Sequence, residues 1–236
     1  MATDNSIRIK YNDKLAEITD GCNPELVRGA SFDGIFEIPV IKAPEVFKIP
    51  KAMAPFSKIK SVKPEEFAIC EYENDKNFAD LLKNPDAYVN DFKKYQAFIT
   101  PDASLYWDMP LATQIVNLYR NHAIGYYMQS KGVYTIPNVR WGDERTYTTT
   151  YLPEKIAFLG VEKHSIVSIG SYGVIKSRDE KRHFRNGLEA MLETLEPSVV
   201  LVYGAMPDDV FKDFRHLTTF IQYSDWTSFK RKSEIQ

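Results

Sequence analysis

The chain has 236 residues, of which 44% are hydrophobic and 26% charged, and its formal net charge is -2. This composition is typical of a folded globular protein, and the length suits one domain with a substantial core. The small net charge excludes the overall positive field with which general nucleic-acid binders and anionic-lipid binders attract their partners.

The terminal and cysteine patterns predict a soluble cytoplasmic protein without membrane partners. No apolar run approaches the ~18 residues of a membrane span, and the N-terminal residues lack the pattern of a signal peptide. Cys22 and Cys70 are the two cysteines, and their separation fits neither a zinc nor an iron–sulfur motif.

Three segments are expected along the chain: an N-terminal arm at 1–34, a single α/β domain at 35–228 and a basic tail at 229–236. The polar arm is expected to contact the body of the protein or another subunit of an oligomer. Within the domain, short apolar runs alternate with helical patterns, which predicts a mainly parallel sheet. About seven strands are expected, at 36–41, 67–72, 97–100, 133–138, 165–169, 199–203 and 220–223.

The helices between these strands carry start and stop signals. Residues 84–86, Asn-Pro-Asp, combine a capping residue with a first-turn proline, and Ser177 with Glu180 forms a capping box. The longest helix is expected from about Asp108 to Lys131. Its predicted core stripe consists of Ala112, Ile115, Val116, Tyr119 and Ala123.

Strands with helical crossovers predict a compact or incomplete (β/α) barrel, and an open doubly wound sheet is the alternative. In both architectures ligands bind beyond the C-terminal ends of the parallel strands. We therefore expect the functional side chains in the loops that follow the strands.

The densest group of charged side chains lies in one such loop, after the strand at 133–138. Asp143 and Glu144 are candidate catalytic acids, bases or metal ligands, and Arg140 and Arg145 are candidate anion-binding groups. Charged side chains are rarely buried unless paired, and strand-end loops often carry function. The alternative is an internal ion-pair network that fixes the loop.

Carboxylates follow nearly every predicted strand, at Glu71, Asp102, Asp143, Glu144, Asp208 and Asp225. Such a rim would suit Mg²⁺ or Mn²⁺, or it would supply a general acid and base. Asp102 directly follows a strand end, so it is a candidate catalytic residue, with an Asx turn as the alternative. Asp108, Asp208 and Asp209 are better explained as helix-capping residues.

Four further residues are candidate ligand contacts. Trp141 could stack on a planar ligand or close the end of the barrel. Ser171, in a glycine-flanked turn, and Lys176 behind it could bind a phosphate, although a simple turn explains the same residues. Tyr203 ends the strand at 199–203, so it too is placed at the rim.

Four blocks occur in order along the chain: PDASLYWDMP at 101–110, QIVNLYRN at 114–121, IPNVRWGDE at 136–144 and YGAMPDD at 203–209. Together they resemble a family of uncharacterised proteins from bacteriophages, prophages and other mobile elements, over residues 36–223. Ala103 stands where this family is expected to have phenylalanine. The resemblance implies a phage or mobile-element context and supplies no catalytic residues.

Three functions are consistent with these patterns. The first is a metal-assisted hydrolase or transferase acting on a polar or phosphorylated small molecule, in host-cell cytoplasm if phage-encoded. The second is a non-catalytic protein that binds a host factor or a phage assembly through its aromatic loops and arm. The third, nucleic-acid binding through Arg140, Arg145 and the basic tail, is disfavoured by the net charge. The first predicts that Asp102, Arg140, Asp143 and Glu144 converge on one open pocket.

Overall fold

The computed structural model describes residues 23–233. Most of the predicted N-terminal arm and the last three residues of the predicted tail lie outside this range. The strands are β1 (Phe32–Asp33), β2 (Ile38–Pro39), β3 (Ala52–Pro55), β4 (Phe67–Cys70), β5 (Ala97–Ile99), β6 (Thr135–Ile136), β7 (Ile166–Gly170), β8 (Val199–Tyr203) and β9 (Thr219–Tyr223). The α-helices are α1 (Ala79–Lys83), α2 (Val89–Phe92), α3 (Leu111–Ser130), α4 (Glu144–Tyr147), α5 (Arg178–Leu195), α6 (Asp208–Phe211) and α7 (Trp226–Ser233). Short 3-10 helices span Pro24–Val27, Phe56–Ser61, Pro64–Glu66, Asp75–Asn77, Pro85–Tyr88, Ile156–Phe158 and Lys212–Phe214.

Seven strands run parallel in the order in which they occur in the chain. Strands β3 to β6 form one ladder and β7 to β9 another, and a parallel bridge between Asn138 and Ser168 joins the two. At this bridge the Val139 amide donates to the Ser168 carbonyl at 2.8 Å. The strand order has no reversal of the kind that defines a doubly wound sheet, so it is the strand order of a (β/α) barrel.

The barrel is incomplete within residues 23–233, because no backbone ladder joins β9 to β3 there. The Tyr223 hydroxyl of β9 instead donates to the Pro50 carbonyl, just before β3, at 2.7 Å. One buried cluster takes side chains from every strand from β3 to β9: Met53, Ala68, Cys70, Tyr72, Ala97, Ile99, Ile136, Ile166, Leu201, Tyr203 and Tyr223. Alternate residues of each strand face this interior cluster or the surrounding helices.

Helix α5 begins and packs as the sequence predicts. The Ser177 hydroxyl accepts from the Glu180 amide at 3.1 Å, and the Glu180 carboxylate accepts from the Ser177 amide at 2.6 Å. The predicted capping box is therefore confirmed. The apolar side chains that recur along the helix are buried against the outer face of β7 and β8: Phe184, Leu188, Met191, Leu192 and Leu195.

Helix α3 occupies the predicted region, but the prediction of its buried face is confirmed only in part: Ala123 is buried and Ile115 and Tyr119 are half-buried, whereas Ala112 is exposed. Val116, expected in the core, is 43% exposed, whereas Gln114, Asn117 and Asn121 are buried. Asn117 donates to the Ser104 carbonyl at 2.8 Å, and Asn121 accepts from the Ala103 amide at 3.0 Å. The helix turns amide side chains inward because the buried loop beside it has backbone groups that need partners. Asp108 lies outside this helix, which begins without a side-chain cap.

Two strand predictions need correction. Residues 36–41 do not join the parallel sheet: Ile38–Pro39 pairs antiparallel with Phe32–Asp33, and Ile41 makes only an isolated bridge. The first strand of the barrel is β3, which the sequence analysis missed. No helix in the described range is long and apolar enough to cross a membrane.

Candidate functional site

The C-terminal ends of the seven parallel strands surround one cavity of about 480 Å³, which we call the mouth cavity. Each strand end, or the loop directly after it, contributes a lining residue: Pro55, Tyr72, Asp102, Arg140, Gly170, Tyr203 and Asp225. Its size lies within the range of small-molecule sites, and its position is where parallel barrels bind ligands.

A hydrogen-bonded network spans the mouth cavity. Arg140 Nη1 donates to Asp102 Oδ2 at 2.6 Å, and Asn138 Nδ2 donates to Asp102 Oδ1 at 2.8 Å. The Tyr72 hydroxyl lies 3.0 Å from Asn138 Oδ1 and 2.7 Å from the Ser168 hydroxyl. The side chains of Asp102 and Arg140 are only 7% and 17% exposed, so the pair is largely removed from water.

Burial sets the protonation behaviour of this network. It raises the pKa of Asp102, and the positive charge of Arg140 and the Asn138 hydrogen bond offset part of that increase. Burial also raises the pKa of Tyr72 well above the usual tyrosine value, and the charge of Asp102 adds to the increase. At neutral pH the phenol therefore keeps its proton, whereas Asp102 exchanges its proton closer to neutral pH than an exposed aspartate does.

Two charged groups beside the mouth have unused hydrogen-bonding capacity. Arg140 Nε is buried and has no partner among the described residues. Both carboxyl oxygens of Glu71 are likewise buried and unpartnered, and burial together with the charges of Glu73 and Asp102 raises the Glu71 pKa well above normal. A guanidinium has five N–H donors, so Arg140 can bind a further acceptor while it holds Asp102.

Tyr203 forms an aromatic wall of the mouth cavity. Its ring stacks on that of Tyr72, with centroids 5.1 Å apart and planes 20° from parallel. Its hydroxyl accepts from the Trp226 amide at 2.8 Å. Because that oxygen is engaged with the backbone, Tyr203 offers a ligand its ring more than its hydroxyl.

Asp143 and Arg145 form a second, separate pair that lines no part of the mouth cavity. Arg145 donates from Nε and Nη2 to the two oxygens of Asp143, at 2.8 and 2.7 Å. Asp143 also caps α4 by accepting from the Arg145 amide at 2.9 Å, and Gln114 donates to it at 3.2 Å. Burial raises the pKa of Asp143, but these hydrogen bonds lower it more, so the pKa lies below normal.

The remaining candidates lie around the mouth with structural partners. Glu144 is exposed and accepts from the Tyr151 hydroxyl at 3.1 Å. Trp141 is buried against Phe184, with ring centroids 5.1 Å apart, and lines a different cavity.

Ser171 and Lys176, the predicted phosphate contacts, lie outside the lining of the mouth cavity. The Ser171 hydroxyl donates to the Ala205 carbonyl at 2.6 Å, which ties together the ends of β7 and β8. Lys176 is exposed and lines neither large cavity. Asp208 and Asp209 lie in the first turn of α6 and pair with Arg215 and Lys181.

The described residues contain no group of three or more His, Cys, Asp or Glu side chains placed to hold a metal ion. Two other carboxylates near the mouth are engaged with protein donors, unlike Glu71: Glu73 accepts from the Ser57 amide at 2.8 Å, and Asp75 accepts from the Ser104 hydroxyl at 2.9 Å. The predicted acidic rim is therefore divided into separate hydrogen-bonded groups.

Sequence reasoning did not identify Tyr72, Asn138 and Ser168 as one network. Each is a polar residue at or near the end of a strand, on the face that looks into the barrel. The signal was the inward register: Tyr72 is two residues beyond Cys70, and side chains alternate along a strand.

A family model matches residues 30–224, which include the barrel and every residue of the mouth network. Its description is "Domain of unknown function (DUF4417)". The chain belongs to this DUF4417 family. Membership confirms the predicted resemblance to a family without an assigned activity.

Two phage proteins are similar to this DUF4417 chain. The Gene 1 protein of Mycobacterium phage L5 is 32% identical over 133 residues, which is 56% of this chain and 55% of that protein. The Gene 1 protein of Mycobacterium phage D29 is 28% identical over 159 residues, or 67% of this chain and 55% of that protein. The chain thus spans about half the length of these relatives. No solved structure matches it.

Proposed function

We propose that the mouth cavity binds a small polar or phosphorylated molecule, on which the protein acts as a hydrolase or transferase. The observation that carries this proposal is the Asp102–Arg140 pair, which lines the cavity while Arg140 Nε has no partner within residues 23–233. In this proposal Arg140 holds an anionic group of the ligand, because a guanidinium binds phosphate or carboxylate through several donors.

Asp102 is the proposed general acid or base. Its raised pKa, caused by burial, brings proton exchange nearer to neutral pH, which favours acid–base catalysis. The protonated Tyr72 hydroxyl, linked to Asp102 through Asn138, positions that carboxyl. The similarity to two mycobacteriophage Gene 1 proteins supports a phage context, and we propose a location in the host-cell cytoplasm.

The test is a thermal-shift screen with inorganic phosphate, ribose 5-phosphate and dicarboxylates on the wild type, Arg140→Gln and Arg145→Gln. Arg145 provides the matched control, because it is a paired arginine from the same loop that does not line the mouth cavity. A ligand at 100 times its Kd raises the free energy of unfolding by about 2.7 kcal/mol. We expect such a rise in the wild type and Arg145→Gln only. An equal rise in Arg140→Gln, or no rise in any protein, contradicts the proposal.

A non-catalytic protein contact is a second candidate, favoured by exposed aromatic side chains. Tyr106, Trp107 and Tyr172 are all more than half exposed, and Tyr106 and Tyr172 line the mouth cavity. Aromatic residues are enriched in protein interfaces. If this candidate is correct, a Tyr106→Ala, Tyr172→Ala double variant loses a protein partner from host lysate, whereas Arg140→Gln keeps it. Loss in both variants, or in neither, contradicts it.

A further inference from the structure

A second cavity, of about 590 Å³, lies beside the mouth cavity; we call it the aromatic cavity. The two share five lining residues: Tyr106, Arg140, Gly170, Gly173 and Val174. Arg140 therefore stands where the two spaces meet. A ligand longer than the mouth cavity could extend past Arg140 into the aromatic cavity.

The lining of the aromatic cavity differs in chemistry from that of the mouth. Much of it is apolar: Leu105, Val139, Trp141, Ile169 and Phe184. Trp107 and His183 also line it, and their rings lie within 9° of parallel, with centroids 6.5 Å apart. Because the two ring planes are nearly parallel, a planar ligand that stacks on one of them has the right orientation to contact the other.

Trp107 is 65% exposed, although tryptophan is one of the largest apolar side chains. Covering such an exposed ring with a planar ligand lowers the free energy, because apolar surface is removed from water. The cavity therefore favours a flat ring as its occupant.

Arg140 is the cation best placed to hold an anionic group attached to such a ring. Arg182, which also lines the aromatic cavity, is paired with Asp179 at 3.1 Å. The N-terminus of α5 is engaged as well, since Ser177 and Glu180 cap its backbone amides. Arg140 Nε, in contrast, has no partner among the described residues.

We propose that the two cavities form one ligand groove, in which a planar heterocycle stacks against Trp107 and His183 and an anionic group joined to it binds Arg140. A nucleoside monophosphate is the simplest molecule that carries both parts. This inference rests on the proposed function of the mouth cavity and names its substrate class as nucleotides or close relatives.

The test is calorimetric titration of the full chain with three kinds of probe: the four ribonucleoside monophosphates, ribose 5-phosphate, which lacks the base, and adenosine, which lacks the phosphate. Trp107→Ala removes one stacking ring, and His183→Ala removes the other. Tyr151→Ala is the matched control, because Tyr151 is also an exposed aromatic residue but lines neither cavity.

Stacking of a base on an aromatic side chain contributes enough affinity that Trp107→Ala should weaken at least one monophosphate about 10- to 100-fold. His183→Ala should also weaken it, while ribose 5-phosphate binding stays unchanged in both variants. Arg140→Gln should weaken monophosphate and ribose 5-phosphate alike and leave adenosine unchanged. Tyr151→Ala should change none of the affinities.

The inference is overturned if no monophosphate binds more tightly than ribose 5-phosphate, or if Trp107→Ala weakens both equally. In either case ribose 5-phosphate binding that depends on Arg140 would still support the mouth site. If Arg140→Gln alters the affinity of no phosphate probe, the proposed function of the mouth cavity fails together with this inference.

Discussion

Two aspartate–arginine pairs draw their arginines from the same short loop, at Arg140 and Arg145, but have opposite properties. Arg140 makes one hydrogen bond to Asp102 in the mouth cavity, and its Nε has no partner in the described part of the chain. Arg145 donates hydrogen bonds to both carboxylate oxygens of Asp143 and also to the Met109 carbonyl, the latter at 3.0 Å. The first pair retains capacity for a ligand, whereas the second is used to fix the loop.

The pKa shifts of the two aspartates point the same way. Burial raises the pKa of Asp102, whereas the hydrogen bonds from Arg145 and Gln114 bring the pKa of Asp143 below normal despite burial. The ionised form of Asp143 therefore stabilises the fold, whereas the ionised form of Asp102 opposes folding. A carboxyl that opposes folding is a stronger functional candidate than one that contributes to stability.

The largest effect on stability that bears on this comparison is the pH dependence caused by His122. This residue lies on α3, the helix that also carries Gln114. Burial lowers the pKa of His122 to about 4, while its Nδ1 lies 3.1 Å from the Pro39 carbonyl and so carries the proton. Because an unfolded histidine titrates near 6.5, the unfolded chain binds more protons between these values. Stability should therefore fall as the pH drops from 6.5 to 4, by about 3 kcal/mol.

Urea unfolding of the wild type and His122→Asn across this pH range measures the effect. The asparagine amide preserves a donor toward Pro39 but does not titrate, so the variant should lose most of the slope. The same substitution at the exposed His216 is the control and should leave the slope unchanged. An unaltered slope in His122→Asn would contradict the prediction. The two aspartates are best compared above pH 6.5, where His122 contributes no slope.

The next largest loss of stability should come from Gly187→Ala, which disturbs the packing of Trp141, the residue that follows Arg140. A Cβ at Gly187 would lie within the contact distance of the Trp141 indole Nε1. Overpacking of this kind costs about 1–3 kcal/mol, more than the helix propensity that alanine adds. Glu189→Ala, on the exposed face of the same helix, is the control. If Gly187→Ala is as stable as that control in urea, Trp141 does not fix the loop between the two arginines.

The smallest expected effect is the difference in stability at pH 7 between variants of the two aspartates. Asp143→Ala removes the cap of α4, which should cost about 1 kcal/mol, and it also strands Arg145. Asp102→Asn should cost less, because burial raises the pKa of the Asp102 carboxyl and its ionised form therefore opposes folding. As the pH falls from the ordinary aspartate pKa of about 3.9 through the lower pKa of folded Asp143, the destabilisation by Asp143→Asn should shrink, and it should vanish only below that folded pKa, where both states are protonated. A greater loss in Asp102→Asn than in Asp143→Ala at pH 7 would reverse the assignment.

Local signals in the sequence predicted the parts of the fold that depend on near neighbours. Ser177 and Glu180 form their capping box because both partners lie within one helical turn. Strand β3 was missed because Ala-Met-Ala-Pro lacks the β-branched residues that mark buried strands. The inward polar face of α3 was missed because the core stripe was predicted from apolar residues alone, whereas a buried loop needed amide partners.

In the candidate site, too, the sequence predicted local placement but not long-range contacts. The sequence placed Asp102, Arg140, Asp143 and Arg145 after strands, and the structure brings Asp102 and Arg140 together across 38 positions of the chain. It could not assign the partners, because both arginines flank the same two carboxylates at similar spacing. Partner choice depends on how the loop folds after the strand, where Trp141 packs closely on Gly187 of α5, a long-range contact that neither residue signals in the sequence.

The central claim is that Arg140 binds ligand and Arg145 does not, and side-chain NMR of arginine-labelled protein tests it most directly. During titration with ribose 5-phosphate, the guanidinium resonances of Arg140 should shift and saturate, while those of Arg145 stay in place. Movement of the Arg145 resonances with Arg140 unchanged, or saturable binding that shifts neither, would contradict the account.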